Sequence, residues 1–338
     1  MNDPAPRQTR VAPATPENIA LAAACLRAGG LVAMPTETVY GLAGLATVDS
    51  AVASIYAAKG RPAFNPLIAH FADAELAARE AELTPSAQKL AAVFWPGALT
   101  IVAPVSARCR VSLLARAGLD TVALRVPAHE VAHALIEAVG APLVAPSANR
   151  SGTVSATRAE HVAADLSGQV DWILDAGPSP LGLESTIVAC VGGTVRLLRP
   201  GAISREALEA ALGAPVLARA FLDENALVAP GGLASHYAPR AKLRLDATRL
   251  RAGEAALDFG GVLTGLGAAK LDLSPTADLL EAAANLFAHL RALDAAGAAQ
   301  IAVAPIPERD LGAAINDRLR RAAAPRPVKN ASALESFD

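Results

Sequence analysis

Four short apolar runs, each closed by a proline, constrain this chain more than anything else in it: "LVAMP" (31–35), "LTIVAP" (99–104), "TVALRVP" (121–127) and "PLVAP" (142–146). Each is too short for a stable helix and reads as a buried strand. Proline has no N–H to donate to a ladder, so it ends the run. Helical punctuation fills the gaps between them. Thr15-Pro16 opens a helix that Gly29-Gly30 closes, and the segment 49–59 stops at Gly60. Thr84-Pro85 opens another that "WPG" (95–97) ends, and a further helix spans 129–139. After residue 168 come "VDWILDAG", "STIVACV" and "TVRLLRPG", then a helix from Ser204 to Leu212 closed by Gly213. Strands interleaved with helices build a layered α/β domain with a mixed sheet.

A chain of 338 residues leaves room for a second domain. Regular patterning fails over 215–241, which reads as a linker, and irregular segments of that length often carry function. Beyond it a smaller βα pattern returns. Strands are predicted near 242–245 and 257–263 and at "QIAVAP", with helices over 276–296 and 310–323. The predicted division is a tail over 1–14, a first domain over 15–214, a linker or lid over 215–241, a small α/β domain over 242–325 and a tail over 326–338.

Charge excludes some roles. Thirty Lys and Arg against 32 Asp and Glu leave a net charge of −2, which suits neither a nucleic-acid coat nor a membrane-surface protein. A local basic cleft remains compatible with it. Cys25, Cys109 and Cys190 are odd in number and far apart, so free thiols in a reducing cytoplasm are expected. No apolar signal core or membrane-length run stands in the sequence, and a cytoplasmic location is expected.

Among the motifs, there is no G-x-x-x-x-G-K-[ST], and "GLGAAK" (265–270) lacks the third small residue of a dinucleotide fingerprint. "HEVAH" (129–133) is a literal H-E-x-x-H, which in a metalloprotease puts two zinc-binding histidines on one helix face around a glutamate base. Its first histidine falls in the first helical turn, close to Pro127, and no third ligand follows at a suitable spacing. "AAKGRPAFNPLIAH" (57–70) sets Lys59 and Arg61 just past a helix end, where cations suit the helix dipole or can hold a polyphosphate. "APLVAPSANRSGTVS" (141–155) follows a strand with hydroxyls and free amides, the materials of an anion nest or of an ordinary polar loop. "MPTETVYGL" (34–42) leaves a strand through two threonines, a glutamate and a tyrosine, as a ligand loop or as a strand-to-helix turn whose threonines cap local backbone. Polar groups also stand at Thr121 and Arg125, Ser185 and Thr186, and Arg199. Arginine on an apolar strand is costly unless a charge meets it, so Arg125, Arg199, Lys59 and Arg61 point to one cleft for a strongly anionic ligand.

In this order, "PTETVYGL", "KGRP..NPL", "PGALT", "LRVPAH", "APSANRSG", "STIV" and "LLRPG" resemble the YrdC-like domain of threonylcarbamoyl-adenylate synthases. "HYAP" in the linker and "DRLRRAA" near the C-terminus resemble the longer, two-domain branch of that family. The resemblance covers about 15–325. It implies a twisted mixed sheet in the first domain and a Rossmann-like second domain. It also implies a nucleotidyl transfer: L-threonine, bicarbonate and ATP give L-threonylcarbamoyl-AMP and pyrophosphate. That product serves the threonylcarbamoyl modification of the adenosine beside the tRNA anticodon, through downstream transfer machinery and with tRNA contact as an open question.

By the same resemblance, Thr38, His70, Arg125, the Ala145 backbone and Ser185 bind threonine. Arg61, Asn65, Thr121, Ser147, Ser155, Arg199 and Tyr237 bind ATP, and Lys59, Arg61, Ser147 and Asn149 carry the catalysis. Tyr237 is expected to reach over the nucleotide as part of a lid, contributing little to any core. Mg²⁺ would arrive with ATP and not on protein side chains. One departure stands out: basic residues usual before "HYAP" in the family are replaced here by Leu233, Ala234 and Ser235. Two rival readings are a non-catalytic RNA-binding module of the same fold and the zinc protease. A related carbamoyl transferase is a third, but the accessory domains that it would need are missing.

Overall fold

The computed structural model describes residues 7–218 and 236–325. Its first part runs β1 (Arg10–Pro13), α1 (Pro16–Arg27), β2 (Val32–Met34), β3 (Gly41–Leu45), α2 (Asp49–Lys59), β4 (Ile68–His70), α3 (Ala74–Ala78), α4 (Pro85–Phe94) and β5 (Leu99–Pro104). It continues through β6 (Thr121–Arg125), α5 (Glu130–Val139), β7 (Leu143–Val144), α6 (Ala159–Leu166), β8 (Trp172–Asp175), β9 (Thr186–Val191), β10 (Thr194–Arg199) and α7 (Arg205–Leu212). The second part is β11 (Lys242–Arg244), β12 (Ala255–Asp258), β13 (Lys270–Asp272), α8 (Leu279–Ala295), β14 (Gln300–Val303) and α9 (Leu311–Ala323).

Ten strands form one mixed sheet in the order β1-β8-β2-β3-β7-β4-β6-β5-β9-β10, and four form a small parallel sheet in the order β11-β14-β12-β13. The expected α/β architecture and Rossmann-like second sheet are therefore present. Alternation along the strands sorts the core of the large sheet. In β2, Val32 and Met34 belong to the core shared with α1 and α5, while Ala33 between them belongs to the core on the opposite face, which includes Ile55 of α2. The sequence punctuation works as read: Thr15 Oγ1 accepts the Asn18 amide at 3.3 Å, and Gly60 and Gly213 end α2 and α7 at φ 60° and 70°.

Some expectations need correction. Residues 10–13, read as tail, form an edge strand parallel to β8. The stretch after "MPTETVY" is not a helix: Gly41–Leu45 turns back antiparallel to β2, so 35–40 joins two neighbouring strands. Glycines disguised β3, and each is needed there, since a Cβ on Gly41 would stand 3.1 Å from Ala145 Cβ and one on Gly44 3.0 Å from Ile55 Cδ1. Helices α3 and α6 and strand β13 were not foreseen. In the second domain the strand near 257–263 ends at Asp258, and the long helix starts at Leu279 because the Asp278 carboxylate caps the Glu281 amide at 2.8 Å. Most of the stretch read as a linker or lid, with Leu233, Ala234 and Ser235, lies outside the described residues.

The two parts share packing. Val39, Val154 and Leu183 of the first join Phe287, Leu290 and Ile315 of the second in one apolar cluster. At Gly182 (φ 66°) the chain passes so close to α8 that a Cβ would lie 2.5 Å from Ala283 O and from Ala284 Cα. Gly182→Ala is therefore expected to cost clearly more stability than Gly213→Ala, whose Cβ would meet open space. The first combines left-handed strain with a backbone clash, together on the order of 2–4 kcal/mol, against about 1 kcal/mol for the second. Denaturant unfolding of the two variants checks the order.

Candidate functional site

Where the C-terminal ends of β4 and β6 lie side by side, His70 pairs in register with Arg125, and both side chains face a small, partly open cavity. Thr38 closes it from the β2–β3 loop, Ala145 and Ser147 from the end of β7, Ser185 from the start of β9, and Arg199 from the end of β10. Arg61 comes from the loop after α2, and His236 and Tyr237 reach in from beyond the first domain. The free space is about 50 Å³, room for a water or two. A nucleotide needs more room than this lining leaves.

The β2–β3 loop is built by Thr36. Its Oγ1 accepts the amides of Thr38 and Val39 at 3.2 Å, donates to Val39 O at 2.6 Å, and lies 2.8 Å from Thr38 Oγ1. The two threonines divide the work: Thr36 satisfies local backbone, though the turn it caps leads to a strand and not a helix, while Thr38 lines the cavity.

Charge is arranged unevenly. Arg125 donates to Glu37 Oε1 at 2.7 Å and to Gly97 O at 3.2 Å. Burial alone would raise the Glu37 carboxyl, but the Arg125 charge and hydrogen bond hold it below its ordinary value. Among the described residues Arg61 and Arg199 have no carboxylate within ion-pair distance. Arg61 donates only to the carbonyls of Asn65 and Pro66, at 3.2 and 3.0 Å. Arg199 donates only to the Ser185 carbonyl and hydroxyl, at 2.9–3.1 Å. Burial pulls Arg61 down to about 10, the mark of a guanidinium with no nearby carboxylate to offset desolvation. Burial, then the Arg125 charge, lowers His70 to about 3, so its ring is neutral. Its Nδ1 lies 3.0 Å from Ile68 O, which requires the proton there and leaves Nε2 as an acceptor.

Nine of the fourteen residues implied by the resemblance line the cavity: Thr38, Arg61, His70, Arg125, Ala145, Ser147, Ser185, Arg199 and Tyr237. Lys59 does not. Its Nζ donates to the carbonyls of Ser147 and Asn149 and so braces the loop that carries Ser147. Asn149 donates to Arg150 O and Thr153 O within that loop, while Asn65 is buried with both side-chain polar atoms unpartnered. The Ser155 hydroxyl bonds Glu184 behind the cavity wall. Thr121 opens β6 opposite Pro104, four residues from Arg125 and so about 13 Å along the strand.

Sequence reading missed four contributors. Glu37 and Glu184 stand inside or beside quoted motifs, but no spacing marks them as partners of arginines. His236 precedes the quoted tyrosine and is buried with Nδ1 unpartnered. Arg318, in "DRLRRAA", meets Glu184 at 2.8 Å across 134 residues of chain.

Tyr237 departs from its expected role. Only 1% exposed, at φ 63°, it stacks on Phe287 at 5.7 Å and belongs to the second domain's core as well as to the cavity. The metalloprotease reading also fails on geometry. His129 precedes α5 as its cap, its Nδ1 accepting the Val131 amide, while His133 turns to Glu137 at 3.4 Å. Among the described residues no three His, Cys, Asp or Glu gather as a metal site. In the cavity lining the one carboxylate is Glu184, already taken up by Arg318 and Ser155, so the lining offers a divalent cation no free carboxylate. Among the described residues no helix is long and apolar enough to cross a membrane.

Two outcomes follow. Tyr237→Ala should lower stability by about 3–5 kcal/mol, as for other buried aromatics, which thermal unfolding measures directly. Stability should also fall with acid. The unfolded His70 takes a proton below about pH 6.5, whereas the folded one stays neutral down to about 3, so stability declines across that window. His70→Gln should flatten the decline by up to about 1.4 kcal/mol per pH unit, read from unfolding free energies between pH 6.5 and 4.

Comparison with known proteins places this geometry. Residues 24–201 match the Sua5–YciO–YrdC family profile, described as "Telomere recombination", and residues 203–324 match the profile of the threonylcarbamoyl-AMP synthase C-terminal domain. The chain is 40% identical to a threonylcarbamoyl-AMP synthase of Bacillus subtilis, over 92% of this chain and 94% of that one. It is also 40% identical to one of Pyrococcus abyssi, over 92% and 95%. The crystal structure of Pyrococcus abyssi Sua5 complexed with L-threonine superposes with a TM-score of 0.85 at 37% identity, covering 93% of this chain and 96% of that one. A chain matched along both domains at this identity belongs to the two-domain threonylcarbamoyl-AMP synthase family.

Proposed function

We propose that this chain makes L-threonylcarbamoyl-AMP and pyrophosphate from L-threonine, bicarbonate and ATP, for modification of the adenosine beside the tRNA anticodon. The observation that carries the reading is the pair of buried guanidiniums, Arg61 and Arg199, that face one cavity and form no ion pair among the described residues. Such charges are costly to bury, and a polyphosphate is the ligand that offsets the cost. Being buried, they suit a small anion better than a nucleic-acid backbone, which a non-catalytic RNA binder would meet with charges on its surface.

The other wall suits an amino acid. Arg125, aimed by Glu37, meets a carboxylate; the His70 Nε2 lone pair accepts from an ammonium or hydroxyl group; and Thr38 and Ser185 supply further polar contacts. Bicarbonate loses water to give carbon dioxide, which the neutral amine of threonine takes up with release of a proton to solvent; a carbamate oxygen then bonds to the α-phosphorus as the bond to the bridging α–β oxygen breaks and pyrophosphate leaves. No side chain needs to hold a transferred proton at the phosphorus. The protein's work is to set two anions in line and to neutralise them, and orientation alone supplies about 7–11 kcal/mol in well-positioned systems. Lys59 fixes the Ser147 loop and so shapes the phosphate side. Mg²⁺ would come bound to the triphosphate.

The test is pyrophosphate release from ATP, which should depend on both threonine and bicarbonate. Arg61→Ala should lower kcat/KM for ATP on the order of a hundredfold while the protein stays folded. Release without threonine, or near-normal turnover in Arg61→Ala, would sink the assignment of this cavity.

A further inference from the structure

Two arginines of the small domain converge on one serine of the large one. Arg291 of α8 donates to the carbonyls of Val154 and Ser155 and is fixed by Asp165 at 2.6 Å. Arg318 of α9, 0% exposed, donates through Nε to Glu184 Oε2 at 2.8 Å, while Glu184 Oε1 accepts the Ser155 hydroxyl. The same guanidinium donates to Pro200 O at 3.0 Å, next to Arg199, and stands 5.1 Å from the centre of the Tyr237 ring.

Glu184 poses a problem that Arg318 solves. It is an ionised carboxylate in the lining of a cavity meant for anions. Burial would raise it, yet the charges of Arg318 and Arg199, with hydrogen bonds from Ser155 and Arg318, hold it at about 2. If Arg199 alone had to neutralise Glu184, its guanidinium would be drawn off the phosphate side. Arg318 supplies the counter-charge from behind the wall, so Arg199 keeps its place on Ser185 and faces the cavity.

We infer that Arg318 is a positioning residue for nucleotide use: by satisfying Glu184 from the small domain, it keeps Arg199 and Ser155 set for the triphosphate. The small domain is thus a structural part of the nucleotide site itself. The inference rests on the ATP-dependent reaction proposed above.

Steady-state kinetics of the full chain separate the two ideas. If the unaltered protein releases no threonine-dependent pyrophosphate, the reaction assignment fails. If it does, Arg318→Met should raise KM for ATP about tenfold, with kcat and KM for threonine changed far less. Adding Glu184→Gln should then bring KM for ATP back towards the starting value, because a neutral amide no longer competes for Arg199. A purely structural loss would lower the thermal midpoint and depress kcat and raise KM for threonine along with KM for ATP, whereas the positioning role confines the change to KM for ATP. An unchanged KM in Arg318→Met, or a rise that Glu184→Gln leaves in place, overturns the inference. If Arg318→Met does not fold, Arg318→Gln, which keeps a donor to Glu184 but no charge, carries the test with the same two outcomes.

Discussion

A guanidinium inside a protein must find a negative charge or do without water's help, and this molecule is organised around leaving that need unmet at two points. Arg125 and Arg318 each have a carboxylate; Arg61 and Arg199 have only carbonyls and a hydroxyl. The difference sorts four buried arginines into two that are settled by the fold and two that are held open. Everything around the cavity serves that sorting: Glu37 and Glu184 are each engaged elsewhere, and Lys59 is turned onto loop carbonyls and away from the lining. In the proposed function, that desolvated positive charge is what an anion's binding would offset.

Much of this was legible beforehand. Prolines at strand ends and Thr-Pro and Gly signals at helix ends gave the layered architecture, because those residues act through local backbone geometry that needs no partner. The cavity arginines were legible for a related reason, since charge on an apolar strand contradicts its surroundings. What escaped were features decided by distant contacts. β3 is poor in strand formers and is a strand through its pairing with β2 and β7, its glycines fitting the tight space beside Ala145 and Ile55. β1 looked like a tail because only β8, some 160 residues on, makes it a strand.

Charged partners escaped in the same way. Glu184 sits one residue before a quoted motif and Arg318 inside another, yet nothing local says that they meet. Tyr237 shows the opposite failure. Its family role at the nucleotide was read from four letters, but its burial against Phe287 depends on where α8 lies. The backbone beside it is pinned on both sides, with the His236 amide on Arg321 O and the Ala238 amide on Gly152 O. One aromatic thus serves both a packing and a binding surface, and a mutation there changes both readouts together.

The four residues of β1 bear on how copies of this protein meet one another. A ten-stranded sheet has two rims, and a rim of free amides and carbonyls invites another chain to add itself; at the β10 rim Leu217 already bonds to Val195 and Leu197. On the other rim stands a strand of only four residues. It ends in Pro13, which has no amide to offer, and begins with Arg10, whose guanidinium lies 4.4 Å over the Trp172 ring. Brevity, a missing donor and a positive charge are the devices by which sheets discourage further growth. A segment without sequence pattern, and dispensable on first reading, thus acts as a stop against strand-by-strand self-association.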